Sequence, residues 1–400
     1  MSGSGEGYGR RELLRAGGLA AAGLGLAACG VSTARSSSRA AQQAAAERFW
    51  RRQRPHGHVN FANWPGYIDS RSLREFTAAT GTTVRYAPVI LDDAAWFGRV
   101  HAALEAGRPI GYDLMVDTNG FVFDELMELH DVMPLDQRML VNFYKYAGYR
   151  FRHRSYDPGN VHSVPWAAGS TGIAWNPRYI SKPVTSIEEL WNPAYKGRVG
   201  MMVNVLETGN FGLIKAGVNP ETSTPSDWRR AASALLQQRD DGLVRGYYDA
   251  SYIDHLRSGD LWITMAWQGD IFQDNLAGGE LRYVVPSEGG TLWIDNMMIP
   301  RTAQNPVDAM KLMDWYYHPK IAAQLTAAIG YISPVPSVRP IIAAAAKRAT
   351  GDARRILTAV AGSPLIWPAP ADFDRLYYYV NVSGQLKVEY QSIFQPIVSA

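Results

Sequence analysis

Four groups of residues have the types and spacings to hold a small charged molecule. Trp64 and Tyr67 fall in the turn-rich stretch Asn63-Trp64-Pro65-Gly66-Tyr67, directly after the apolar run Val59–Ala62. Asn204 and Glu207 are three apart, the spacing that puts two side chains on one face of a starting helix. Trp267 closes an apolar run, and Trp293 and Asp295, two apart, share one face of a strand. These are rings and carboxylates with no basic residue among them. That chemistry suits an organic cation: a buried ammonium needs a counter-charge, and each Trp or Tyr face attracts a cation by about 0.5–2 kcal/mol. Taken singly, each residue has a plainer explanation, since a Trp or Tyr on an apolar strand is ordinary core and an Asp or Glu an ordinary helix cap. Their joint placement at strand ends carries the reading. A sugar, held by Trp with Asp and Asn, and a ferric ion, for which Tyr67 and Tyr331 begin a ligand set, are the alternatives. An anion wants Arg or helix N-termini, and no Arg belongs to these groups.

The surrounding pattern is alternating α/β. Val59–Ala62, Thr82–Ile90 and Tyr112–Val116 read as strands. Between them lie a helix capped by Asp69 or Ser70 and stopped by Gly81, and a second over Asp92–Ala106. This order implies a parallel sheet with right-handed crossovers. Ligands bind beyond the carboxyl ends of such strands, which places Trp64, Tyr67, Asp117, Thr118 and Asn119 on one rim. Further strands are expected at Thr171–Trp175, Val199–Val203, Leu261–Trp267, Leu281–Pro286 and Leu292–Ile299, with helices at Thr208–Gly217, Pro306–Tyr317 and Pro319–Gly330. Arg339–Leu365 reads as helices without a functional mark, and Asp92-Asp93 as caps or solvated turns.

The charge is unevenly spread. The 400 residues carry a net charge of +3, but residues 1–54 hold nine Arg and three Glu, so the rest of the chain stands at −3. No basic body remains to track phosphates, which argues against a nucleic-acid partner. The single cysteine, Cys29, allows no disulfide within the chain. The sequence holds no Gly-x-Ser-x-Gly, His-Glu-x-x-His or phosphate-loop motif, so an enzyme is not expected, nor a cofactor or a resident metal.

Arg10-Arg11 precedes a weakly apolar run, Ala16–Ala28, that ends at Cys29. At 13 residues the run is short of the ~20 needed to span a bilayer. It resembles a twin-arginine export signal joined to a bacterial lipoprotein processing box. The expectation is a signal over 1–28, lipid on Cys29, and a Ser-, Ala-, Gln- and Arg-rich tether to residue 54. The protein would then stand outside the cytoplasm, held to the cell membrane by its lipid.

Several blocks carry a more specific resemblance. Phe61-Ala62-Asn63-Trp64-Pro65-Gly66-Tyr67, Tyr112-Asp113-Leu114-Met115-Val116, Val164-Pro165-Trp166 with Gly172-Ile173-Ala174, Trp191-Asn192-Pro193-Ala194-Tyr195-Lys196-Gly197, Gly289-Gly290-Thr291-Leu292-Trp293-Ile294-Asp295-Asn296, and Ile329-Gly330-Tyr331 with Pro334 follow one another in order. Together they resemble the bacterial spermidine/putrescine-binding proteins, the extracytoplasmic receptors of ABC importers. The resemblance implies a two-lobe periplasmic-binding-protein fold of type II, with the ligand in a cleft between lobes joined by crossing strands. Expected bounds are 55–167 plus 296–334 for one lobe and 168–295 plus 335–400 for the other, crossing near Trp166–Ala168, Asp295–Met297 and Pro334–Pro336. It implies a polyamine ligand and an ABC permease as partner, with the receptor a monomer. It assigns Trp64 and Tyr67 to one aromatic wall, Thr118 to the same end, Glu207 to one amine, Trp267 and Trp293 to an aromatic box, Asp295 to a second amine, and Tyr331 to the cleft. Three positions depart from the family pattern: Pro65-Gly66 and Asn204 stand where acids are frequent, and Gly120 where a ring is. A diamine, or a ligand with one strong cationic end, is then as well suited as spermidine, with Asp117 as a replacement acid.

Overall fold

The computed structural model describes residues 44–152 and 154–399. The export signal and Cys29 lie outside the described residues. The chain divides into a unit ending at Gln53, within which residues 44–52 are helical, and a unit from Arg54 onward. No helix among the described residues is long and apolar enough to cross a membrane.

The second unit is built on one continuous sheet. Its strands are β1 His58–Asn63, β2 Thr83–Pro88, β3 Leu114–Thr118, β4 Ser163–Trp175, β5 Val199–Met202, β6 Val244–Tyr248, β7 Ile263–Trp267, β8 Arg282–Val284, β9 Gly290–Met298 and β10 Leu376–Tyr377. The order is β2-β1-β3-β9-β4-β7-β5-β6, with β10 on β9 and β8 on β4. As the alternating pattern predicts, β1 pairs in parallel with β2 and β3. The intervening helices begin and end where their capping residues dictate. Asp69 accepts from the Arg71 amide and Gly81 closes that helix in the left-handed region, while Asp92 caps Asp93–Glu105.

Two long antiparallel strands tie the halves together. β4 has 13 residues and β9 has nine, and every residue of both is buried. β9 pairs with β3 through Thr118↔Asp295 to Met115↔Met298, and β4 leaves β9 at Thr171 to pair with β7. Their shared register slips between Pro165 and Ala167. Pro165 has no N–H for a ladder, and a bulge is where a central strand tolerates proline. The chain meets β4 again at Ile332, whose amide and carbonyl both bond to Ala168. On one side of this junction the core gathers Trp96, Phe123, Leu126 and Met298; on the other it gathers Phe211, Trp228, Leu235 and Met265.

β4 is longer than the expected Thr171–Trp175, because Pro165 and the small run Ala167-Ala168-Gly169-Ser170 carry no strand signature. The helix expected from Thr208 begins three residues earlier, at Val205, since Asn204 caps it. The pair Arg339–Arg348 and Gly351–Gly362 packs on Pro319–Ile329. β10 and the helix Gly384–Val398 pack instead with β9 and with the helices Val205–Lys215 and Pro225–Asp240.

Candidate ligand-binding site

A cavity of about 820 Å³ opens along the junction, and its wall contains all ten residues singled out in the sequence: Trp64, Tyr67, Thr118, Asn119, Asn204, Glu207, Trp267, Trp293, Asp295 and Tyr331. They arrive from strand ends and the turns that follow. Trp64 and Tyr67 follow β1, Thr118 ends β3, Trp267 ends β7, and Trp293 and Asp295 lie within β9.

Asp295 is the centre of one end. The Tyr67 hydroxyl donates to its Oδ2 at 2.6 Å and the Thr118 hydroxyl to its Oδ1 at 2.6 Å. Burial pushes this carboxyl up to about 6, against the pull of those two hydrogen bonds, with Asp93 adding a further upward push. The rings of Tyr67 and Tyr331 meet edge to face at 5.4 Å, and Tyr331 lies 5.5 Å from Trp293. Two glycines make room for these rings. A side chain at Gly169, opposite Trp293 in the ladder, would start 2.0 Å from the indole, and one at Gly269 would start 2.3 Å from Tyr331.

Glu207 is the centre of the other end. Its Oε1 accepts from the Thr171 hydroxyl at 2.6 Å, the Trp267 indole N–H at 3.0 Å and the Tyr379 hydroxyl at 2.8 Å. Its Oε2 is buried without a hydrogen-bond partner, although the Thr291 side chain is near enough to the carboxylate to pull its pKa down. Burial raises its pKa, and the hydrogen bonds only partly offset that. The carboxylate occupies the third position of its helix, where the Asn204 oxygen accepts from the amides of Leu206 and Glu207. Asn204 therefore spends its oxygen on fixing that first turn. Asn119 is similarly engaged, its side chain accepting from the Ile294 amide at 2.6 Å and so stapling the β3 turn to β9.

Several wall residues carried no signal of their own. Tyr379 comes from the run Tyr377-Tyr378-Tyr379 near the end of the chain. A side chain at Gly120 would begin 2.8 Å from Leu206 and 3.7 Å from Tyr379, so the space beside this glycine is taken first by Leu206. Thr171 lies in mid-strand behind the wall and reaches the site only through its hydrogen bond to Glu207. Asp270 accepts from Tyr252 at 2.7 Å and from Tyr331 at 3.4 Å. Asp93, beside the capping Asp92, faces the cavity rather than solvent alone. The lining holds no Arg and a single Lys, Lys387 of the helix Gly384–Val398, whose ammonium is taken by Glu125 and the Phe121 carbonyl. The wall is thus acidic and aromatic. Among the described residues no three His, Cys, Asp or Glu are grouped to hold a metal ion.

The sequence pattern described as bacterial extracellular solute-binding protein matches residues 72–350. The spermidine/putrescine-binding periplasmic protein of Salmonella typhimurium is 28% identical over 283 residues, 70% of this chain and 79% of that protein. Spermidine/putrescine-binding periplasmic protein 1 of Haemophilus influenzae is 30% identical over 274 residues, 68% of this chain and 74% of its own. Among solved structures, the spermidine/putrescine ABC transporter substrate-binding protein PotD from Streptococcus pneumoniae superposes with a TM-score of 0.71 at 22% identity, covering 85% of this chain and 98% of that one. The TpPotD lipoprotein of Treponema pallidum also gives 0.71, at 18% identity, over 86% of this chain and all of the other.

Proposed function

The chain belongs to the family of bacterial extracellular solute-binding proteins and has their two-lobe fold, and from that premise we propose that it captures a putrescine- or spermidine-like polyamine and delivers it to an ABC permease. The observation that carries the ligand class is the pairing of two buried carboxylates, Glu207 and Asp295, across one aromatic-walled cavity. Glu207 Oε2 lacks a donor from the protein and is ready for an ammonium N–H. Trp64, Trp267 and Trp293 offer faces for the methylenes and the charge between the ends. The role is binding; we assign no catalysis. The hydroxyls a ferric ion would use are already donated, Tyr67 to Asp295 and Tyr331 to Asp270.

The lobes are taken as 55–167 plus 296–334 and 168–295 plus 335–400, closing over the ligand by bending where β4 and β9 slip register. We also propose that the mature chain acts as a monomer, lipidated on Cys29 and held at the outer face of the cell membrane. A diacylglyceryl mass on the N-terminal peptide, lost in Cys29→Ala, tests the anchor.

The ligand is tested by calorimetry on protein unfolded and refolded to strip carried solute, with putrescine, spermidine, spermine and a sugar. Saturable binding of one polyamine with compaction in solution scattering is expected. Silence to all three amines with binding of the sugar overturns the assignment.

A further inference from the structure

The cavity wall holds one carboxyl arrangement that the two-ended site leaves unused. Asp93 opens the 13-residue helix Asp93–Glu105, and Asp117 is on β3 directly before Thr118. Asp117 is fully buried, and its Oδ1 accepts from the Thr118 amide at 2.9 Å. Its Oδ2 has no donor from the protein, and neither has Asp93 Oδ1, although the two side chains are close enough to hydrogen-bond. Two carboxylate oxygens are both acceptors, so only a proton, or an N–H brought from outside, can satisfy such a pair. Asp93 is half-buried and lines the cavity, whereas Asp117 lies behind it.

We propose that Asp93 is a further ligand contact, receiving the same ammonium as Asp295, and that this ammonium displaces a proton held between Asp93 and Asp117. The inference rests on the cation reading above and deepens it. Asp93 lines the cavity and is near enough to Asp295 and Tyr379 for its charge to push both upward. A primary ammonium has three N–H groups, enough for Asp295 and Asp93 together. Asp93 thus supplies an acid that Gly66 and Asn204 do not. Asp117 is a positioning residue: it keeps the proton while the cleft is empty and turns the Asp93 carboxylate toward the ligand.

The charges around the pair agree. The ionisable groups acting on it are Asp92 on the helix side and Asp295 on the β9 side, both acids. Burial pushes Asp93 up to about 6, and burial with the facing Asp93 pushes Asp117 well above the usual carboxylate range, so a proton the pair shares sits on Asp117. An arriving cation reverses the largest nearby field, and the N-terminus of the Asp93–Glu105 helix then favours an ionised Asp93.

The test is calorimetry on stripped full-length protein with putrescine and spermidine at pH 7.5, in two buffers of different ionisation heat, which yields the protons released per ligand bound. At that pH Asp295 is already ionised, since its carboxyl sits at about 6. Wild type should release about one proton. Asp93→Asn should bind about tenfold or more weakly and release none. Asp117→Asn should release none with little change in affinity, and Asp93→Glu should restore both release and affinity. Each variant is checked for a cooperative melt. Wild-type affinity and proton release in Asp93→Asn, or release retained in Asp117→Asn, overturns the inference while leaving the polyamine assignment standing. Wild type binding no amine overturns both.

Discussion

Glu207 and Asp295 are both buried carboxylates on the same cavity, yet they are held in opposite ways. Glu207 concentrates three donors on one oxygen and leaves the other bare. Asp295 takes one hydroxyl on each oxygen. Thr171, Trp267 and Tyr379 make the Glu207 end a rigid socket with one open acceptor. Tyr67 and Thr118 make the Asp295 end a charge shared with its own wall. The first end is suited to fixing an ammonium in direction, and the second to accepting a charge whose position varies. Polyamines of different length would then be anchored at Glu207 and accommodated at Asp295.

That contrast can be broken most strongly at Glu207. Glu207→Gln leaves a ligand cation in a buried site without its counter-charge, a loss of about 4 kcal/mol, or roughly a thousandfold in Kd. Asp295→Asn should cost less, about 3 kcal/mol, because both oxygens already share their charge with hydroxyls. Equal losses by calorimetry would erase the distinction between the ends.

The pH dependence sharpens it. Asp295 has a folded pKa raised above its unfolded value, so it binds its proton more tightly when folded. Its contribution to the stability of the empty protein is therefore full below about pH 4 and is lost as the pH rises through about 6. The displacement of about two units caps the contribution at roughly 3 kcal/mol. Melting of ligand-free wild type should lose more stability between pH 4.5 and 7 than Asp295→Asn does. Ligand binding should run the other way, strengthening over that interval. An identical melting profile for the two proteins would show that the carboxyl is not perturbed.

Smaller effects test the hydroxyls. Tyr67→Phe removes one of two donors to Asp295 and should cost about 1.5 kcal/mol of affinity, whereas Tyr379→Phe leaves Glu207 Oε1 two donors and should cost about 1 kcal/mol. Reversal of that order would make Glu207 the more dependent carboxylate. The smallest change is expected at Lys387. Its bond to Glu125 joins the helix Gly384–Val398 to the helix Phe121–Glu128 at the rim, so Lys387→Met should weaken binding by about 0.5 kcal/mol. The effect should vanish in high salt.

What the sequence made legible follows from what is local. The caps at Asp69, Gly81 and Asp92 depend on neighbours a few residues away, and the parallel β1–β3 block follows from the strand–helix alternation of one contiguous stretch; both are found as expected. Trp64 and Tyr67 after β1 and Trp267 at the end of β7 stand where the sequence placed them, whereas Trp293 and Asp295 lie in the middle of β9 and Glu207 in the first turn of its helix; the fold still gathers all six on one wall. Tyr379 could not be read that way, because its partner Glu207 is 172 residues distant and no periodic pattern links them. Asp93 was hidden differently. Beside Asp92 it resembles half of a capping pair, and only the approach of β3 reveals that Asp92 alone caps while Asp93 meets Asp117. The small residues Ala167–Ser170 in the middle of β4 include Gly169, whose purpose, leaving space for the Trp293 ring, belongs to the partner strand.

The wide spacing of these contacts also sets an order of events. Tyr67 and Asp295 are 228 residues apart, Thr118 and Asp295 177, and Tyr379 and Glu207 172. Such closures come late, because long stretches of chain must be organised before they form. The β1–β2 crossover can assemble early on its own, but the cleft is completed only when the last strand, β10, has docked on β9. A solute therefore finds no binding surface on a partly folded chain. It should leave the folding rate unchanged and act only by slowing unfolding, so that the filled receptor outlives the empty one without being quicker to make.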